Sequence, residues 1–343
     1  MTIVLTATTA HAFGEGDTKN DTKGESDGNG SLSASTSSIR ISYPSGGGGG
    51  GGGDKRGNLA TIDPNWKPPA CWYEPAFTPE QLEEFVDTDG GGDVGIHESW
   101  YGKRLWTDHY RDGKPADNFD LHAPTNSTAE GYEDYNLGKD GYFWRGVAPD
   151  PSDPESWDCG RIMFWVDAGD IPDDPHAPTP EMLAEYAYNE VKVPETEIEL
   201  KPEAKSTVNL PTWVWLDEGT FKEVTVRAEL PNTGLWAETT AKPVALHLDP
   251  GTADAETYPA SGDCEINDDD SIGTPYTKGN ADRTPPCGIR YLRATSGAPY
   301  RLTAGITWQI SWEGTGGANG DLPDGTFETT QDMNVQEIQS INR

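Results

Sequence analysis

The densest mixture of groups able to move protons lies between His97 and His109, where His97, Glu98, Trp100, Asp108 and His109 bring imidazole, carboxylate and aromatic side chains together. A histidine serves as a general base when a third group orients it and a nucleophile stands within reach. No G-x-S-x-G elbow and no cysteine nucleophile accompanies these residues, so the sequence assigns them no catalytic role. Carboxylate pairs are no better a guide. Among 58 acidic residues, two close enough for general acid and base work arise by chance.

Metal ligation meets similar limits. Asp268-Asp269-Asp270, with Asp263 and Glu265, offers the hard oxygens that calcium requires, and Asp268 and Asp270 are its candidate ligands. Ile272 stands where an EF-hand needs a third oxygen, so the segment reads first as a solvated acidic loop. Asp167, Asp170, Asp173 and Asp174, in a loop marked by Pro172 and Pro175, read the same way. The four cysteines, Cys71, Cys159, Cys264 and Cys287, form no CxxC pair, and the six histidines do not gather around them, which argues against zinc. An even, small number in an exported chain reads instead as two disulfides. Three pairings are open. The shared loop-rich stretch of Cys264 and Cys287 favours joining those two, and with them Cys71 to Cys159. No cofactor is expected.

Gly46–Gly53 followed by Lys55 invites a nucleotide-binding reading. A phosphate cradle needs G-x-x-x-x-G-K-[S/T] between a buried strand and a helix N-terminus, so that backbone N–H groups and a hydroxyl converge. No Ser or Thr follows this lysine, and Gly57 stands where the helix would begin. The tract reads as a flexible linker.

The elements that must hold any site divide the chain by composition. Residues 13–61 form a leader rich in Gly, Ser, Thr, Asp and Lys, too poor in apolar groups to offset the entropy of ordering and so expected to be disordered. Within it only Ile39, Ile41 and Tyr43 alternate like a short strand. Residues 62–193 are rich in Trp, Tyr, Pro and Asp. Thr78-Pro79-Glu80-Gln81 predicts one helix start and Thr179-Pro180 another, the second with Met182, Leu183, Tyr186 and Ala187 on one face. Tyr142–Trp144 and Ile162–Val166 predict buried strands flanking the Cys159 loop. Residues 194–209 read as a linker.

From 210 to 343 the period changes to two. Val224, Val226, Ala228 and Leu230 alternate with polar residues, as do Val244, Leu246 and Leu248. Leu302, Ala304, Ile306, Trp308, Ile310 and Trp312 give six apolar residues at strict alternation. With Thr212–Leu216, Gly288–Leu292 and a segment at 332–338 that reads as strand or helix, six or seven strands predict a β-sandwich.

The net charge of −33 repels phosphate backbones and anionic headgroups, which excludes nucleic acid and bare membrane as partners. No apolar run approaches the ~18 residues of a membrane-spanning helix. Met1–Ala12 ends in Ala10-His11-Ala12, the small-x-small pattern of signal-peptidase cleavage, and reads as the remainder of a signal peptide whose true start lies upstream. Of the 12 tryptophans, Trp213, Trp308 and Trp312 sit on alternating strands and are assigned to the core. Trp66, Trp72, Tyr73, Trp100, Tyr101 and Trp106 lie in loop-like sequence and are the candidate binding surface.

The C-terminal half resembles the polycystic kidney disease (PKD) domain, an immunoglobulin-like sandwich of extracellular proteins. Leu246-His247-Leu248-Asp249-Pro250-Gly251-Thr252 stands in place of that family's aromatic-Asp-aromatic-Gly-Asp-Gly signature, in degenerate form: Pro250 replaces one aspartate and leucines the aromatics. Cys287–Tyr291, a turn at Ser296-Gly297 and the strand Tyr300–Trp312 follow in the family's order. The whole arrangement is similar to a group of uncharacterised exported actinomycete proteins, matched by Gly46–Gly53, Trp66–Trp72, Thr179–Ala184, Leu210–Trp215 and Thr303–Gly314. That resemblance implies export and an extracellular sandwich, and carries no activity.

The expected fold is therefore mainly β: a C-terminal immunoglobulin/PKD-like antiparallel sandwich preceded by a small α+β, disulfide-linked, loop-rich region and a disordered Gly-rich leader. The expected function is that of a secreted or cell-wall-associated, non-catalytic interaction or structural protein whose partner is a cell-envelope protein or polysaccharide. The alternative is a carbohydrate-active enzyme or carbohydrate-binding protein using middle-region carboxylates and tryptophans.

Overall fold

The computed structural model describes residues 37–44, 56–88, 105–117, 128–150, 152–194, 198–216 and 221–338. The signal-peptide reading of residues 1–12, and the disorder expected for 13–36 and 45–55, lie outside the described residues. The first half of the chain carries β1 (Arg40–Ser42), β2 (Arg56–Asn58), β3 (Ala60–Thr61), β4 (Trp72–Phe77), α1 (Pro79–Thr88), β5 (Ala116–Asp117), β6 (Thr128–Ala129), β7 (Gly141–Val147), β8 (Phe164–Asp167), α2 (Pro180–Asn189) and β9 (Lys192–Pro194). The second half carries β10 (Glu199–Lys201), β11 (Lys205–Thr207), β12 (Pro211–Leu216), β13 (Val224–Leu230), β14 (Leu235–Asp249), β15 (Ala255–Tyr258), β16 (Asp263–Glu265), β17 (Ile272–Gly273), β18 (Gly288–Tyr291), β19 (Tyr300–Gly314) and β20 (Asn319–Gln336).

The fold is mainly β, and its sheets are antiparallel except where β11 runs parallel to β20. An eight-stranded sheet runs β1-β13-β14-β19-β20-β11, with β16 beside β14 and β3 beside β20. A five-stranded sheet runs β10-β12-β18-β15, with β17 beside β12. Alternation in β19 is what joins them. Leu302, Ala304, Ile306, Trp308 and Ile310 are buried in one apolar cluster, which also holds Val214, Leu216, Ile289 and Tyr291 of the smaller sheet. Fully burying each large side chain contributes about 1.5–3 kcal/mol, so this one strand face outweighs any single polar contact in the molecule.

The helix caps form as their residues dictate. Gln81 N–H donates to Thr78 Oγ1 (3.2 Å) and Thr78 N–H to Gln81 Oε1 (2.9 Å), a reciprocal capping box at α1. Met182 N–H donates to Thr179 Oγ1 (3.0 Å) at α2. The sequence places α2 in the middle region, yet its apolar face lies on the large sheet. Thr239 Oγ1 of β14 donates to the Ala184 carbonyl (2.8 Å), and a Cβ on Gly314 of β19 would come within 2.9 Å of Pro180 Cβ. Hence the main cluster draws on both halves, reaching Trp72 and Val147 of the three-stranded sheet β4-β7-β8. The apolar runs at 142–144 and 162–166 do supply β7 and the start of β8. The rest of that sheet packs Phe77 and Phe143 against Leu82 and Val86 of α1 on one side, and Tyr73, Trp144 and Phe164 around a cystine on the other.

Three expectations change and one open reading is decided. The short strand expected around Ile39–Tyr43 forms as β1, paired with β13 (Ile41 opposite Ala228) beside the buried Ile39, and the leader also supplies β2, paired with β9, and β3, paired with β20, which the sequence did not indicate. The stretch 194–209 contributes strands β10 and β11 rather than a bare linker. Val244 does not share the buried face of Leu246 and Leu248. It is the extra residue of a β-bulge between Pro243 and Ala245, which turns it outward and puts Pro243 on the buried face. The segment at 332–338 is strand up to Gln336, and Ile338 is exposed.

Trp308 has no exposed surface, whereas Trp312, at the end of the same face, is only half-buried. Trp308→Ala should therefore cost about 3–5 kcal/mol and Trp312→Ala clearly less. Denaturant unfolding of the two variants checks this, and equal losses would contradict the shared-face packing.

Candidate functional site

The outward face of the five-stranded sheet is built by pairing register. Glu199 stands opposite Trp215 and Lys201 opposite Trp213, so these four side chains leave the same side of the sheet while Leu200, Val214 and Leu216 point into the core. The Cys264–Cys287 cystine closes a loop over this face: Cys264 lies on β16 of the large sheet and Cys287 immediately before β18 of the small one, so the bond also links the two sheets. Tyr276, within that loop, meets the Trp213 ring edge-on at 5.9 Å. Trp213 is consequently buried, but under the loop rather than between the sheets where strand alternation had assigned it. Trp215 and Tyr276 remain half-buried.

These two rings, with Ile198, Glu199, Leu200, Lys201, Glu203 and Gln331, line a groove of about 420 Å³. It combines aromatic surface, two carboxylates, an ammonium and an amide, with Glu199, Lys201 and Glu203 exposed. Such a surface sets apolar ring faces beside polar and charged groups.

Of the binding residues expected from sequence, the side chains described, Trp66, Trp72 and Tyr73, form no shared open surface. Trp72 and Tyr73 are buried in β4, packed edge-on against Tyr186 and Phe164, because the loop-like run Pro68–Tyr73 leads straight into a sheet covered on both faces. Trp66 packs on Tyr188 at 5.0 Å. Trp106 lies on a π-helical turn, Leu105–Arg111. Trp100 and Tyr101, like His97 and Glu98, lie outside the described residues. The calcium candidates Asp268 and Asp270 are exposed in a turn. Their neighbour Asp269 accepts from the Ser271 N–H and hydroxyl, and Asp263 is taken by His247 at 2.7 Å. No three acidic groups there come within 4.8 Å of one another. Of the second acidic group, Asp167 accepts from the Trp165 indole (2.7 Å) and Asp174 from the His176 N–H (3.0 Å).

His109 is buried, and its Nδ1 lies 3.1 Å from the Lys114 carbonyl, which only accepts, so Nδ1 carries the proton. Burial holds the imidazole pKa below its ordinary value, and the ring stands against Tyr110 and Tyr132. Asp108 is engaged by Lys114 Nζ at 3.0 Å instead of orienting the ring. Beside it Asp134, Tyr135 and Asn136 all adopt left-handed backbone angles, and His109 Nε2, Tyr135 Oη and Asn136 Nδ2 are buried with no hydrogen-bond partner among the described residues. No sequence signal marked this strained turn.

Sequence reasoning also missed Glu74. It stands opposite Arg145 across the β4–β7 pairing and has no exposed surface. Its carboxylate accepts from the Ser38 N–H (3.0 and 3.1 Å), the Ser37 hydroxyl (3.0 Å) and Arg145 (3.4 Å). Burial pushes its pKa up, partly offset by Arg145 and the two serines. A lone acid and a lone base, each inside an apolar run, were the available clue. On α2, Glu185 is pushed up to about 7 by burial and by Glu181 one turn earlier.

Comparison with protein-family models, with curated proteins and with solved structures finds no match to this chain.

Removing Glu74 takes a charge partner from the half-buried Arg145 and the acceptor from Ser37 and Ser38, which precede β1. Glu74→Ala should cost about 3–5 kcal/mol and open the chain to proteolysis near Pro44, read by thermal unfolding and limited digestion. For Glu185 the folded pKa lies above the unfolded one, so its contribution is fully present below the ordinary carboxylate range and is lost as pH rises through about 7. Glu185→Gln should thus gain about 1 kcal/mol over the parent chain above pH 7, after allowance for solvent screening, and nothing at acid pH. A pH-independent difference would refute that origin.

Proposed function

We propose that this chain is an exported, non-catalytic binding protein with an immunoglobulin/PKD-like sandwich, which engages a cell-envelope polysaccharide through the Trp215–Tyr276 groove. The observation that carries the reading is the paired register of β10 and β12, which aligns aromatic rings with carboxylate and ammonium groups on one exposed sheet face. Pyranose rings offer C–H faces to the aromatics and hydroxyls to Glu199, Lys201, Glu203 and Gln331.

Two cystines support an oxidising compartment. The linkage of two sheets by Cys264–Cys287 supports the immunoglobulin-like assignment, since inter-sheet cystines recur in that architecture. Burial of Trp72 and Trp144 takes away ring surface that the middle-region carbohydrate reading needs.

Sedimentation of the full chain with insoluble cell-wall polysaccharide tests the proposal. Trp215→Ala and Tyr276→Ala should each weaken retention by about tenfold or more, the loss of one stacked ring. Trp157, which is 57 % exposed in the middle region, supplies the control. Retention that survives both groove substitutions, or that falls only with Trp157→Ala, would rule the groove out.

A further inference from the structure

Away from the groove, the second cystine has an unusual neighbour. The Sγ atoms of Cys71 and Cys159 and a ring nitrogen of His176 all lie within 4.8 Å of one another. Among the described residues no other three His, Cys, Asp or Glu ligand atoms gather so closely, and the Cys264–Cys287 cystine has no such companion. In the oxidised chain the two sulfurs are bonded to each other and offer no thiolate.

We propose that reduction of Cys71–Cys159 turns this cluster into a Cys2His site for Zn2+ or a divalent ion of similar softness. A dithiol reductant supplies two electrons: the Cys71–Cys159 bond breaks, two thiols form, and the reductant closes its own disulfide. Binding the ion then releases the two thiol protons, because thiolates are the ligands. Zn–S bonds of about 2.3 Å set the sulfurs roughly 3.8 Å apart in a tetrahedron. The Cα atoms already stand 6.0 Å apart, so side-chain rotation can provide that separation.

Contacts other than the disulfide also bear on the three ligand segments. The Tyr73 N–H donates to the His176 carbonyl (3.1 Å), pinning the histidine segment beside Cys71 on the edge of β4. Asp174 accepts from the His176 backbone N–H (3.0 Å), which fixes the His176 backbone, and its Oδ1 lies 3.6 Å from the imidazole Nδ1. Cys159 is seated by Gly146, whose missing Cβ would stand 2.0 Å from the Cys159 carbonyl oxygen. Both cysteines are buried against Tyr73, Trp144 and Phe164, while the His176 side chain is 35 % exposed and gives an ion its way in. Three protein ligands leave the fourth tetrahedral position to water.

The test uses the full chain, reduced with a phosphine under anaerobic conditions and titrated with Co2+. The expected result is one thiolate-to-cobalt charge-transfer band saturating at one ion per chain, weakened at least tenfold in His176→Ala and absent when Cys71 and Cys159 are both replaced by Ser. A second measurement needs no variant: Zn2+ should slow alkylation of Cys71 and Cys159 at least tenfold, read by peptide mass, and leave Cys264 and Cys287 as reactive as before. No charge-transfer band at saturating Co2+, a band undiminished in His176→Ala, or equal protection of all four thiols would overturn the proposal.

Discussion

One strand face governs the rest of the structure. The apolar residues of β19 meet the smaller sheet through the shared core, while the end of the strand at Gly314 lies under α2. A helix that composition would place in an earlier region is thereby absorbed into the packing of the C-terminal strands. The chain can accept this because Thr239 satisfies a helix carbonyl and Gly314 leaves room for Pro180. Both are small concessions at the contact, made along a strand that is continuous over fifteen residues.

With a charge of −33 the molecule also works against its own repulsion. The two cystines answer this in different places. Cys264–Cys287 spans two sheets and closes the loop that carries Tyr276, so it helps to shape the groove. Cys71–Cys159 ties β4 to the turn before β8, in a part of the fold where the apolar clusters are small. Glu74 and Arg145 add a buried polar connection to the same sheet, holding Ser37 and Ser38 against it.

Where local physics decides, the sequence was legible. Both helix caps, the alternation of β13 and β19 and the middle-region strands could be read from residue types and periods alone. What could not be read depends on partners distant along the chain. Trp213 alternates as a core residue does, but the side it faces depends on register with β10, and its burial on Tyr276, more than sixty residues away. Val244 fits the period and is displaced by a bulge beside a proline. Trp72 and Tyr73 lie in proline-rich, loop-like sequence, and only the packing of Tyr186 and Phe164 against them makes them interior. Glu74 looked like one acid among many until its register with Arg145 was known.

The docking of β1 on β13 has a consequence for the life of the protein after synthesis. A short segment covers main-chain groups of Arg227–Glu229 that would otherwise sit open at the border of the large sheet. A protease that cut this segment away would bare an adhesive border, and the shortened molecules would then meet one another edge to edge.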